Sequence, residues 1–214
     1  PHCCANHAFI HDTTEKREEN KLLLKTASTH IQRLYEALPR KGFIIMLLGA
    51  DGFILSMSGD SSMRNYAESL LVCPGVYDVE NIHGTTAPAI SLLTRRPAQV
   101  LLSEHFFQSY HDWCCSSAPV LDRHGNVLGV LNVANRDIKG HTINVLSTVQ
   151  MATASIESEL RYAALYREHK QTSAYLKTVI ASSSEALVFF DKEDKLAHVT
   201  KNAQTLLGGD ATAC

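Results

Sequence analysis

Apolar residues recur at intervals of three and four at Leu23, Ala27, Ile31, Leu34 and Leu38, a spacing that predicts one buried face of an amphipathic helix. Asp12-Thr13-Thr14-Glu15 upstream is a helix-capping sequence, and Pro39 and Gly42 end the pattern. The period then changes. Phe43 to Leu48 is a short apolar run, Asp51-Gly52 is a turn, and Phe53 to Ser58 returns, which predicts a β-hairpin. Ser61 to Leu71 reads as a helix. So does Ala87 to Leu93, ended by Pro97 before a strand over Ala98 to Ser103. Two further apolar runs, ending at Asp122 and starting at Val127, enclose Arg123-His124-Gly125-Asn126. That turn carries a Gly for positive φ, so the pair predicts a buried hairpin. The fold class is α+β, an antiparallel sheet with helices packed on one face.

Beyond about His141 the chain has neither Pro nor Gly as far as Ser182. Leu146, Val149, Thr153, Ile156, Leu160 and Ala163 follow a short heptad-like seam, broken by Arg167 and Lys170. A single helix here would run ~60 Å at about 1.5 Å per residue, too long to bury against one small domain. Two readings stand: a signalling helix that pairs in a dimer, or a final domain helix with a bend near Arg167 and a second helix after it. Further on, Ala186 to Phe190 and Leu196 to Val199 read as strands around Asp191-Lys192-Glu193-Asp194, with Asn202-Ala203 leading a last helix.

Composition narrows the function classes. A chain of 214 residues with 45% hydrophobic content has room for one large or two small domains with a real core. No run approaches the roughly 18 apolar residues of a membrane span, and no signal peptide is visible. The net charge of −2 gives no basic footprint, which argues against DNA binding by this segment itself. The six cysteines include the adjacent pairs Cys3-Cys4 and Cys114-Cys115, a pattern unlike a secreted disulfide framework, so a reducing, cytoplasmic setting is expected. The chain reads as a fragment of a longer protein.

The stretch Glu80 to Val133 carries a resemblance. Glu80, Gly84-Thr85, Ala87, Arg96-Pro97, Glu104-His105-Phe106, Cys115-Ser116, Ala118-Pro119, Asp122, Gly125 and Gly129-Val130-Leu131 follow, in order, the pattern of the GAF domain of bacterial enhancer-binding activators. That group includes regulators of acetoin and dihydroxyacetone operons. Gly49 to Asp60 is similar to the first hairpin of GAF domains, and Leu176 to Gly209 resembles the opening of a PAS domain. The resemblance implies a GAF sensor domain at 20–150, a connecting helix at 151–182 and an incomplete PAS domain at 183–214, after an N-terminal segment at 1–19. It implies a sensory region whose absent parts would be an ATPase acting on sigma-54 RNA polymerase and a helix-turn-helix DNA-binding domain. The family's GTNAIGT motif appears here as Gly84-Thr85-Thr86-Ala87-Pro88-Ala89-Ile90, and Tyr77-Asp78-Val79-Glu80 stands near its W-x-E. These departures fall where GAF domains build a ligand pocket.

Candidate chemistry is sparse. His2, Cys3, Cys4 and His7 are close together but lack the second half of a zinc site, and a solvent-exposed segment explains them. On a strand that alternates faces, Cys114 and Cys115 place one thiol inward and one away, which suits small buried hydrophobes. Glu104-His105 fits a structural turn packed against the sheet. No catalytic constellation or phosphate loop stands out, so no enzyme activity is expected and no cofactor is assigned.

The expected effector pocket lies between the sheet and the segment Tyr77 to Ile90. Tyr77, Glu80, His83 and Thr85 would supply polar groups, and His105, Trp113 and Cys115 would form walls. Trp113 either reports on occupancy or simply fills the core. The expected partners are a small-molecule effector and a second copy of the chain, with no membrane. Two alternatives are the input region of a sensor histidine kinase and a haem or iron sensor with His or Cys ligands.

Overall fold

The computed structural model describes residues 11–38, 42–141 and 143–208. The His2-Cys3-Cys4-His7 cluster, and Pro39 with its expected helix stop, lie outside these residues. The chain divides into two compact units, 1–162 and 163–214.

In the first unit, helix α1 (Thr14–Glu19) has no side-chain cap bond at its N-cap Thr13; instead Asp12 Oδ1, one residue earlier, accepts from Thr14 N at 2.9 Å. Helix α2 (Lys21–Ala37) follows and buries Leu23, Ala27, Ile31 and Leu34. Strands β1 (Ile44–Gly49), β2 (Ile54–Gly59), β3 (Ala98–Leu101), β4 (Cys114–Leu121) and β5 (Val127–Asn135) form one antiparallel sheet in the order β2-β1-β5-β4-β3. The β4–β5 turn is held by Asp122 Oδ1, which accepts from His124 N and Asn126 N, and Gly125 sits at φ +81°. Helices α3 (Ser61–Ser69), α4 (Glu80–His83) and α5 (Ala87–Thr94) lie between β2 and β3 in sequence.

Strand β3 ends at Leu101, two residues short of the expected Ser103. Leu102 takes a positive φ of 50°, and the Glu104 carboxylate accepts from Leu101 N at 2.7 Å, so a 3-10 turn replaces the strand end. Glu104 is therefore a turn residue by geometry.

The sheet is covered on both faces, not on one. Ile45, Leu47, Phe53, Leu55, Leu131 and Val133 pack under α2 in one core. Ile44, Met46, Leu48, Ile54, Val130 and Ala134 point the other way into a second core with residues of α3 and α5. The physical sign is in the sequence: β1 is apolar at every position, and all six of its residues are buried. A strand buried on both sides cannot alternate apolar with polar residues.

Helix α6 runs unbroken from Ile143 to Ser182 for 40 residues, with no break at Arg167. Its first half does not present the heptad-like seam to a partner. Val145, Val149, Ile156 and Leu160 are buried in the same core as α2 and the sheet. Glu157 accepts from Leu121 N at 2.7 Å, and Glu159 pairs with His30 at 2.9 Å. A three-four spacing does not distinguish a partner helix from the chain's own sheet; here the sheet is the nearer apolar surface.

In the second unit, β6 (Val188–Phe190) and β7 (Leu196–Val199) form a hairpin followed by α7 (Lys201–Leu206). Asp191 caps the turn through Glu193 N and Lys195 N, and Thr200 accepts from Leu187 N at 2.9 Å.

Candidate functional site

On the sheet face under α3 and α5, Met46, Cys115, Asn132 and Ala134 form a floor, and residues from the Val72–Pro88 and His105–Trp113 segments form walls. They enclose a cavity of about 30 Å³. That exceeds the ~10–15 Å³ needed to hold one water.

The walls are built locally. Asp78 is 3% exposed and accepts from Thr86 Oγ1 at 2.8 Å, while Thr86 Oγ1 itself accepts from Ala89 N and caps α5. Pro88, in the first turn of that helix, loses no intrahelical bond. Gly84 links α4 to α5 at φ +67°, ψ −153°, a conformation essentially confined to Gly, and an added Cβ would meet Phe106 Cβ at 2.7 Å. His83 and His105 both meet the Tyr110 ring edge-on. Trp113 stacks on Tyr66 at 5.7 Å, and Arg136 covers Tyr66 while pairing with Asp112.

The polar inventory is uneven. His105 Nδ1 donates to Leu102 O at 2.9 Å, which leaves Nε2 as an acceptor, and burial holds its pKa below the ordinary histidine value. Asn132 Oδ1 accepts from Ser117 Oγ, yet Asn132 Nδ2 has no partner. Trp113 Nε1 and His83 Nδ1 are also buried without a hydrogen bond, the nearest approach for His83 being Asp78 Oδ1 at 3.6 Å. These three orphaned atoms belong to residues lining one cavity. Burial pushes the Cys115 thiol well up, so it stays a neutral wall rather than a nucleophile. Among the described residues no group of three His, Cys, Asp or Glu is placed to hold a metal ion, and no helix is long and apolar enough to cross a membrane.

Of the seven residues the sequence nominates, His83, His105, Trp113 and Cys115 meet at the cavity. Tyr77, Glu80 and Thr85 are outside its lining. Tyr77 turns to the opposite core and packs edge-on against Phe53, and Thr85 donates to Glu80 at 3.2 Å at a more exposed position. In two cases the neighbour takes the place: Asp78 beside Tyr77, and Thr86 beside Thr85. Tyr77 bridges Phe53 in extended backbone, where successive side chains point to opposite sides. The parity of that segment decides which residue faces in, and nothing local reveals it. Asn132 did carry a signal, as a polar residue within the apolar run Val127 to Ala134.

The fold is that of a GAF-like domain followed by a long helix: a solved structure described as the E. coli DhaR(N)-DhaL complex superposes with a TM-score of 0.85 at 21% identity, covering 100% of this chain and 72% of that one. Residues 10–158 match the family described as MimR, N-terminal domain, and the chain belongs to that family. Among curated relatives, a signal-transduction and transcriptional-control protein of Clostridium beijerinckii is 26% identical over 190 residues, covering 89% of this chain and 30% of that protein. The acetoin dehydrogenase operon transcriptional activator AcoR of Bacillus subtilis is 23% identical over 167 residues, covering 74% of this chain and 28% of its own length. By their descriptions both relatives control transcription. The chain spans 27–30% of the length of the curated relatives it matches.

Proposed function

We propose that this chain is the effector-sensing region of a transcriptional activator and that the cavity under α5 is its effector site. One observation carries the reading: three buried polar atoms, His83 Nδ1, Trp113 Nε1 and Asn132 Nδ2, are orphaned around one small cavity. Leaving such a group unpaired costs about 1–3 kcal/mol, and a small molecule that pairs them recovers part of that cost. Trp113 and Asn132 donate, whereas His105 Nε2 and Asp78 accept, so the site suits a ligand bearing both kinds of group. The ATPase that acts on sigma-54 polymerase, and the DNA-binding module, belong to parts of the protein outside this chain. Domain limits follow the same reading: a GAF sensor, a signalling helix and the opening of a PAS domain, whose β6–β7 hairpin leaves Phe190 63% exposed. A homodimer would form through α6 positions Leu165, Leu176 and Val179, which are exposed and near heptad spacing.

Trp113 is the sole tryptophan, so its fluorescence isolates the site. Titration with small alcohols, ketones and organic acids should give a saturable change with at least one class, weakened tenfold or more in Asn132→Ala protein. A ligand whose affinity is the same in folded Asn132→Ala and His83→Ala proteins would place the effector site elsewhere. A protein partner as the input is the second reading, favoured by the DhaR structure having been solved with DhaL. Under that reading no small molecule in the titration perturbs Trp113.

A further inference from the structure

The cavity floor and the root of α6 share two strands but use opposite sides of them. On β4, Cys115 lines the cavity and the next residue, Ser116, points to the other face. On β5, Ala134 lines the cavity and the next residue, Asn135, does the same. Cys115 and Ala134 are directly paired in the sheet, so the floor contributes one residue from each strand at one level. Ser116 and Asn135 both bond a single imidazole, that of His141, at 2.7 Å through Nε2 and 2.9 Å through Nδ1. Gln99 Nε2 donates to Ser116 Oγ at 2.9 Å, which leaves the hydroxyl proton for His141 Nε2 and puts the ring proton on Nδ1, facing Asn135 Oδ1. The Ser116 hydroxyl and both His141 ring nitrogens thereby each have one defined role. His141 is 3% exposed, lies against the Phe43 ring, and stands two residues before α6 begins at Ile143.

Ser116, His141 and Asn135 have the connectivity of a nucleophile, base and orienting group. All three are buried, with at most 3% exposure, so the arrangement does not face a substrate and is not a catalytic one. Its chemistry instead makes a rigid link. A backbone shift at the Cys115–Ala134 pair moves Ser116 and Asn135 together, and the imidazole bonded to both must follow or lose a buried hydrogen bond.

We propose that His141 is the joint that passes the state of the cavity to α6, a positioning role that rests on the cavity being the effector site. Without this joint the floor would reach the start of α6 only through the chain that joins Asn135 to Ile143. Coupling of this kind requires a measured dependence between the two places, and contiguity alone does not supply it.

The test needs no ligand. Ala134→Val adds methyl groups into the cavity from its floor and mimics occupancy. Amide hydrogen exchange is then compared in the intact chain, with Ser116→Ala or His141→Gln as second substitutions. In the otherwise native background, filling the cavity should change exchange over Val145–Ile156 by about fivefold or more, the lower end of ordinary coupling. In either second background the change at β4 and β5 should persist while that in α6 disappears. An α6 change of equal size in all backgrounds, or none in the native one, overturns the proposal. Should His141→Gln fail to fold, Ser116→Ala carries the comparison, since it removes one hydroxyl only. If the effector reading is wrong, the Trp113 titrations stay silent while this exchange comparison still gives its answer.

Discussion

His141 shows how a single side chain sets a pH dependence. Burial holds its pKa at about 4, below the ordinary 6.5, because desolvation penalises the charged ring. Between these values the unfolded chain binds more protons than the folded one. Its contribution to stability is therefore complete above pH 6.5 and is lost as the pH falls toward 4. His105, also lowered by burial, acts in the same direction. Urea denaturation should show the native protein losing about 2 kcal/mol from His141 alone between pH 7 and pH 5, a loss missing from His141→Gln protein. An unchanged pH slope in that variant would mean the ring titrates normally. At this scale the sequence is least informative: His141 is one of eleven histidines, and nothing around it announces burial.

At the scale of elements, α6 has two halves with different surroundings. Ile156 is fully buried in the core with α2 and the sheet, while Leu176 is 53% exposed. Ile156→Ala should destabilise the first unit by roughly 2–5 kcal/mol, seen as a lower melting temperature by circular dichroism. Leu176→Glu should leave that melt within about 0.5 kcal/mol of native, as for ordinary surface changes, and reduce self-association in sedimentation velocity. The reverse pattern would return the dimer seam to Leu146–Ala163. The sequence located α2 and both hairpins, because periodicity and turn residues are local properties, while it left open whether the 143–182 stretch was one helix or two. It left open which surface each apolar face would meet.

Taken whole, the molecule keeps its candidate site within the first unit. Trp113, Asp78, His83, His105 and Asn132 all fall in residues 1–162, as does the part of α6 that closes the core. A fragment of residues 11–162 should therefore melt in one cooperative transition and keep the buried emission of Trp113. A fragment ending at 140 should lose both, because it lacks Val145, Val149, Ile156 and Leu160. Equal melting of the two fragments would show that α6 is dispensable to the core.

The sequence by itself determined the α+β class, the order of the strands and the longer helices, the turns at Gly52 and Gly125, and four residues that meet at the cavity. These follow from hydrophobic period, backbone freedom and an ordered run of family motifs, all properties of neighbours along the chain. Only the tertiary structure decided that helices cover both faces of the sheet and that Ile156 packs inward. It also decided that Asp78 and Thr86, not Tyr77 and Thr85, reach the cavity, and that Ser116, Asn135 and His141 meet. Each of these depends on which face of a strand or helix is turned to which partner. Such a choice is set by the free energy of packing all the layers at once, and a shift of one residue in a strand reverses it.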